Sequence, residues 1–136
     1  MKKYVPLLLI FVFVFSACSS QPTALDGDWK LIAYGPAESM TPAVTDVEAT
    51  LTFGNDGTIT GNDGCNSIGG KYEVEGKKIT FSDLTSTLMA CDDARMNQEG
   101  AFTQVLNGTA EYEIDDQTLA ITNNGMVLVF SPASAK

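Results

Sequence analysis

From Leu25 onward the apolar residues recur with a period of two, the spacing that places alternate side chains on one face of a strand. Trp29, Leu31 and Ala33 form one such series; Ala49, Leu51 and Phe53 form another, with Glu48, Thr50 and Thr52 between them. Tyr72 with Val74, Ile79 with Phe81, Tyr112 with Ile114, and Leu119 with Ile121 repeat the pattern, each flanked by Thr, Lys, Asp or Glu on the opposite face. Thr58–Gly61 and Met126–Phe130 complete a set of about eight strands.

Turn residues fall between these runs: Asn55-Asp56-Gly57, Glu75-Gly76, Asp115-Asp116 and Asn123-Asn124-Gly125. Short strands joined by tight turns predict an all-β antiparallel meander, curled into a half-open β-barrel that hides its edges. One stretch departs from period two. Phe102, Val105 and Leu106 have helical spacing, Asp92 and Asp93 suit a helix N-terminus, and Gly108 suits its end. A single helix is therefore expected between Cys91 and Gly108, between the fifth and sixth strands, where it would plug one mouth of the barrel. Gly100 weakens such a helix by about 1 kcal/mol relative to Ala, so it depends on packing Phe102 and Leu106 against the sheet.

The first residues have a different character. Lys2 and Lys3 precede an apolar run from Leu7 to Phe15, and Ser16-Ala17 lead into Cys18, the anatomy of an export signal. The run is shorter than the ~20 residues a spanning helix needs. Small residues directly before a cysteine resemble a lipobox, which predicts cleavage after residue 17 and lipidation of Cys18. Each buried acyl methylene contributes about 0.8 kcal/mol, so two or three chains anchor a small domain firmly. The expected organisation is a signal peptide over 1–17, a lipidated tether over 18–25 and one folded domain over 26–133. Ser19 stands where an Asp favours inner-membrane retention in some bacteria, so the expected location is the cell envelope, at the outer membrane.

The stretch Gly64-Cys65-Asn66-Ser67-Ile68-Gly69-Gly70-Lys71-Tyr72 resembles the G-C-N-x-x-x-G-x-Y signature of the META-domain family, which includes HslJ-like lipoproteins. Leu25-Asp26-Gly27-Asp28-Trp29 is similar to that family's opening L-x-G-x-W, and Ser86, Thr87, Met89 and Cys91 fall in a block similar to its S-T-x-M-A-C. The resemblance spans the whole mature chain. It implies a small β-meander barrel with one helix, an envelope location, and links to heat stress, drug tolerance or virulence; it implies no catalytic residue.

Charge and cysteine content narrow the functional classes. Eight basic residues stand against 17 acidic ones, and loss of Lys2 and Lys3 with the signal moves the formal charge from -9 to -11. Such a field repels a phosphate backbone, so nucleic acid is not an expected partner, whereas a basic partner is compatible with it. Once Cys18 is lipidated, Cys65 and Cys91 form an even pair in an oxidising compartment, which points to a disulfide. The rival reading, a redox or metal pair, lacks a C-x-x-C and any histidine to complete a zinc site. No cofactor is expected.

The repeated Gly54-Asn55-Asp56-Gly57 and Gly61-Asn62-Asp63-Gly64 carry oxygen ligands that suit calcium, but the order of an EF-hand loop is missing and hairpin turns explain both copies. The absence of histidine removes Ser-His-Asp and Cys-His arrangements, and Glu73 and Glu75 fall on the polar side of their strand. Ser86 and Thr87 are expected to complete backbone hydrogen bonds beside the cysteine pair. The leading expectation is a monomeric, non-catalytic envelope module that binds a protein or apolar partner, at a site the sequence does not locate. Val127 and Val129 alternate with Met126, Leu128 and Phe130, so they either line an open seam or belong to a fully buried strand. Two alternatives remain open: an inhibitor of a basic host defence enzyme such as lysozyme, and a pilotin-like secretion chaperone.

Overall fold

The computed structural model describes residues 25–115 and 117–133. The signal peptide, Cys18 and the tether as far as residue 24 lie outside the described residues, as does the second residue of the Asp115-Asp116 turn. The elements in chain order are β1 (Gly27–Pro36), β2 (Thr41–Pro42), β3 (Thr50–Phe53), β4 (Thr58–Asn62), β5 (Ser67–Glu75), β6 (Lys78–Ser86), α1 (Asp93–Val105), β7 (Thr109–Asp115), β8 (Thr118–Asn123) and β9 (Met126–Pro132). Each strand after β2 pairs antiparallel with the next in sequence, and β1 pairs with β3. The meander follows from hairpins that the turn residues set: at the β8–β9 turn Asn124 and Gly125 have φ of 50 and 78°, the left-handed pair that a two-residue hairpin requires.

Two expectations are corrected. The barrel is closed, not half-open, because β1 carries β3 along its first residues and β9 from Trp29↔Pro132 to Pro36↔Met126. At ten residues β1 is long enough to hold a neighbour on each edge, and this first-to-last pairing removes the open-seam reading of Val127 and Val129. Val127 lies opposite Gly35 and is buried, while Val129 lies opposite Ala33. The helix lies between β6 and β7, not between the fifth and sixth strands, because an extra two-residue strand precedes it. Thr41–Pro42 pairs with Tyr34 and Ala33 on an edge where proline's missing N–H costs no ladder bond, and it has no alternation from which to read it.

A β-bulge also changes which residues face inward. The β1–β9 register slips between Leu31 and Ala33, so Ile32 is the extra residue and is 45% exposed. Beyond it Tyr34, not Ala33, continues the inward series of Trp29 and Leu31. The interior is filled by Leu31, Leu51, Phe53, Ile59, Ile79, Phe81, Leu119, Ile121, Leu128 and Phe130. Leu25, one residue before the expected boundary at 26, belongs to this core as well, with its carbonyl accepting the Trp29 indole N–H at 2.8 Å.

Helix α1 begins where Asp92, as N-cap, accepts the Arg95 amide, and it packs on β9, β8 and β1. Ala101, Phe102, Val105 and Leu106 join the core, with the Phe102 ring edge-on to Phe130 at 6.1 Å. The Asn123 side chain donates to the carbonyls of Val105 and Asn107, which ties the end of the helix to the β8–β9 hairpin. Arg95 ties its first turn to Asp46. The helix thus lies across one mouth of the barrel.

Candidate functional site

The signature residues fall into two groups. At the mouth under α1, the β4–β5 turn must bend sharply, and the Asp63 carboxylate accepts the amides of Cys65 and Asn66, both at 2.7 Å. Asn66 is fully buried and turns its amide toward the segment after β6: its Oδ1 accepts the Thr87 hydroxyl at 2.8 Å and the Met89 amide at 2.7 Å. Thr87 also accepts the Ser67 amide through Oγ1 at 3.1 Å. The disulfide between Cys65 and Cys91 closes the same junction. Asn66 therefore serves the Met89 backbone as a neighbouring strand would, while the Thr87 amide donates to the Ser67 carbonyl at 3.1 Å.

Beneath this junction sits Gln98, which has no exposed surface. Its Nε2 donates to the Asp63 carbonyl at 2.6 Å and its Oε1 accepts the Val44 amide at 2.9 Å, so both ends of the amide are satisfied. Gly64 is explained by the same contact: its φ is +99°, and a Cβ there would fall 2.5 Å from Gln98 Nε2. The sequence pattern points to Asp63 only as part of a turn and passes over Gln98. A signal for Gln98 existed, since it lies three and four residues before Ala101 and Phe102 and so on the apolar stripe of the helix.

The remaining signature residues lie apart from this knot. Gly70 sits at an irregularity in the β5–β6 ladder, and a Cβ there would meet Leu84 Cδ2 at 2.7 Å. Tyr72 packs edge-on against Phe53 at 5.0 Å and donates to the Gly54 carbonyl at 2.7 Å, with Asp26 Oδ1 at 3.1 Å. Burial, then the neighbouring Asp26 carboxylate, pushes its phenol up to about 12. Ser86 is exposed and donates to the Thr87 carbonyl at 2.9 Å. The two Gly-Asn-Asp-Gly copies act as turns: Asp56 accepts the Thr58 amide and hydroxyl, and Asn62 accepts the Gly64 amide. Among the described residues no three Cys, Asp or Glu side chains group to hold a metal ion.

A cleft of about 360 Å³ opens beside the knot, between the end of β6 and the flank of α1. Leu84, Thr85 and Ser86 form one wall, Phe102, Thr103 and Leu106 the other, and Asp63 and Ile68 lie at its base. It exists because β6 and β7 diverge: they pair only from Lys78↔Glu111 to Thr80↔Thr109, and the chain then leaves to form the helix. Large apolar side chains are exposed along the same stretch, with Leu84 39%, Leu88 95%, Met89 60% and Met96 42% accessible. Leu84 lines the cleft and the other three follow it in the chain; exposed apolar groups of this size mark a surface suited to contact.

A closed antiparallel barrel with one helix across its mouth and a cleft at the helix flank defines the class, a small all-β barrel with a single helix. Within that class the chain belongs to the META domain family, whose model matches residues 22–135. No curated protein matches the chain. Its fold is similar to an NMR structure of a protein from Burkholderia xenovorans, with TM-score 0.67 and 22% identity over 90% of this chain and 100% of that one. It is also similar to a DUF4847 family protein from Bacteroides vulgatus, with TM-score 0.56 and 16% identity over 82% of this chain and 96% of that one. A lipocalin-like protein from Bacteroides uniformis matches with TM-score 0.53 and 19% identity over 80% of this chain and 98% of that one. At these identities the likeness concerns the fold.

Proposed function

We propose that the protein is a non-catalytic binding module of the cell envelope, held on a membrane by lipid at Cys18, whose β6–α1 cleft takes an apolar group from a protein or lipid-like partner. The observation that carries this reading is the cleft itself, with Ile68, Leu84, Phe102 and Leu106 around it, and Leu88, Met89 and Met96 exposed in the stretch of chain from the end of β6 into the start of α1. Exposed apolar side chains of this size cost solubility unless contact with a partner covers them. The signature residues support the reading indirectly. Asn66, Thr87 and the disulfide hold the segment that directly follows Leu84, Thr85 and Ser86, the residues of β6 that line the cleft.

The lipid anchor rests on Ser16-Ala17-Cys18 after the apolar run, and the outer membrane on Ser19. From there the domain would support envelope integrity under stress or drug exposure. The cleft is tested with an anilinonaphthalene dye and the purified domain: enhanced fluorescence is expected, lost in Leu84→Asp and in Thr103→Lys. Equal fluorescence in all three proteins excludes the cleft as an apolar site. Mass spectrometry of the membrane-extracted protein tests the anchor, and a free thiol at position 18 or an uncut leader removes it.

A further inference from the structure

The cleft has one feature that an apolar pocket alone does not require, a free strand edge along its wall. β6 pairs with β5 as far as Ile68↔Ser86, but with β7 only through Thr80, and the Phe81 amide makes the last bond on that side, to the Gly108 carbonyl. From Ser82 to Ser86 the edge turned away from β5 has no backbone partner among the described residues and all five residues are exposed, with a bulge at Asp83, whose φ is 52°, where Asp83 and Leu84 stand opposite Gly70. The helix does not cover this edge, since α1 packs on β9, β8 and β1 and the cleft separates it from β6. Unpaired N–H and C=O groups on either side of this bulge can template another extended backbone.

Charge says what kind of backbone fits. On α1, Glu99 lies one turn before Phe102 and Thr103, outside the lining of the cleft itself, and its Oε2 is buried with no hydrogen-bond partner among the described residues. Asp83 stands on the strand edge itself, with Lys71 as its ion-pair partner at 2.9 Å. No lysine or arginine lines the cleft, in a chain with 17 acidic and 8 basic residues. Resting on the cleft reading above, we infer that the occupant is an extended, basic peptide segment that adds as a strand to Ser82–Ser86 and places an apolar side chain between Leu84 and Phe102. Main-chain bonds would supply affinity, the apolar residue register, and Glu99 selection for a neighbouring Lys or Arg.

The test uses the isotope-labelled full domain and the capped heptapeptide Lys-Val-Thr-Leu-Thr-Val-Lys as probe. Amide shifts and slowed hydrogen exchange are expected at Ser82–Ser86 and along the Phe102 side of α1. Because N-methylation removes donors while keeping the side chains, methylating one of the two alternate sets of peptide amides should weaken binding about tenfold or more, as should replacing both lysines by glutamate. Leu84→Asp and Thr103→Lys, at exposed positions that leave the core intact, should weaken it likewise. Undiminished binding by both N-methylated peptides, shifts elsewhere, or no binding at millimolar peptide overturns strand addition. If the same amides shift with protein concentration alone, the edge belongs to a second copy of the chain and the basic peptide is wrong. Dye binding that persists without peptide binding leaves the apolar cleft standing, whereas loss of both removes the two readings together.

Discussion

Replacing Gln98 by glutamate changes one group in the buried junction and leaves its volume nearly untouched. Gln98 is wholly buried, accepts from the Val44 amide and donates to the Asp63 carbonyl. In Gln98→Glu an ionised side chain still accepts from Val44 but sets an oxygen against the Asp63 carbonyl, with no donor between them. The protonated acid restores both bonds. Burial and this missing donor therefore raise the introduced carboxyl's folded-state pKa above the ordinary ~4.3, toward the roughly 8 to 9 that buried glutamates reach. The charged groups nearby do not reverse this: the Asp63 carboxylate repels it further, and Arg95 is already engaged by Asp46 and Asp92.

Between those two pKa values the folded state of the variant binds more protons than the unfolded chain, so its stability falls as pH rises. At about 1.36 kcal/mol per pH unit the deficit against wild type is about 3 to 4 kcal/mol at neutral pH, shrinking to below about 1 kcal/mol near pH 4. Urea unfolding of both proteins at several pH values reads the difference and cancels the titration they share. Gln98→Leu serves as the control, because it loses both bonds at every pH and its deficit should be flat. A glutamate variant as stable as wild type at neutral pH, or a deficit independent of pH, would show that Gln98 does not bridge Asp63 and Val44 as described.

Other outcomes follow from the same structure. Cys65→Ser combined with Cys91→Ser opens a loop with sequence separation 26 and should lower unfolding free energy by about 3 to 4 kcal/mol, seen as a lower urea midpoint; an unchanged midpoint refutes it. Asn66→Ala leaves the Met89 amide and the Thr87 hydroxyl without their acceptor and should cost about 2 to 4 kcal/mol in the same assay. Tyr72 should titrate by ultraviolet absorbance near 12 instead of 10.0, so the stability it contributes is whole below pH 10 and declines between the two values; Tyr72→Phe removes that component, and a midpoint near 10 counts against the buried contact with Gly54 and Asp26. Gly61→Ala places a methyl group against the Thr50 carbonyl within the β3–β4 ladder and should prevent soluble expression or cost more than about 3 kcal/mol, whereas Gly100→Ala, with open space around it, should gain up to about 1 kcal/mol.

The amino-acid sequence by itself determined the local elements and the family signature. Alternation of Leu51 with Phe53 or Ile79 with Phe81 forces those pairs inward in any antiparallel pairing, and Asn124-Gly125 selects its hairpin, because period and turn conformation are properties of a few neighbouring residues. The expected pairing of Cys65 with Cys91 and the backbone-bonding role of Ser86 and Thr87 were legible for the same reason, each following from residue chemistry. Closure of the barrel was not legible, since it depends on β1 meeting β9 from the far end of the chain. The bulge at Ile32, which turns Ala33 outward and Tyr34 inward, exists only against that partner strand. Gln98 likewise needs acceptor and donor 35 and 54 residues away before a polar side chain can sit in the core. The cleft is decided still later, by where β6 and β7 part and how α1 crosses the mouth, because an empty space between elements is a property of their packing and is encoded in no single segment.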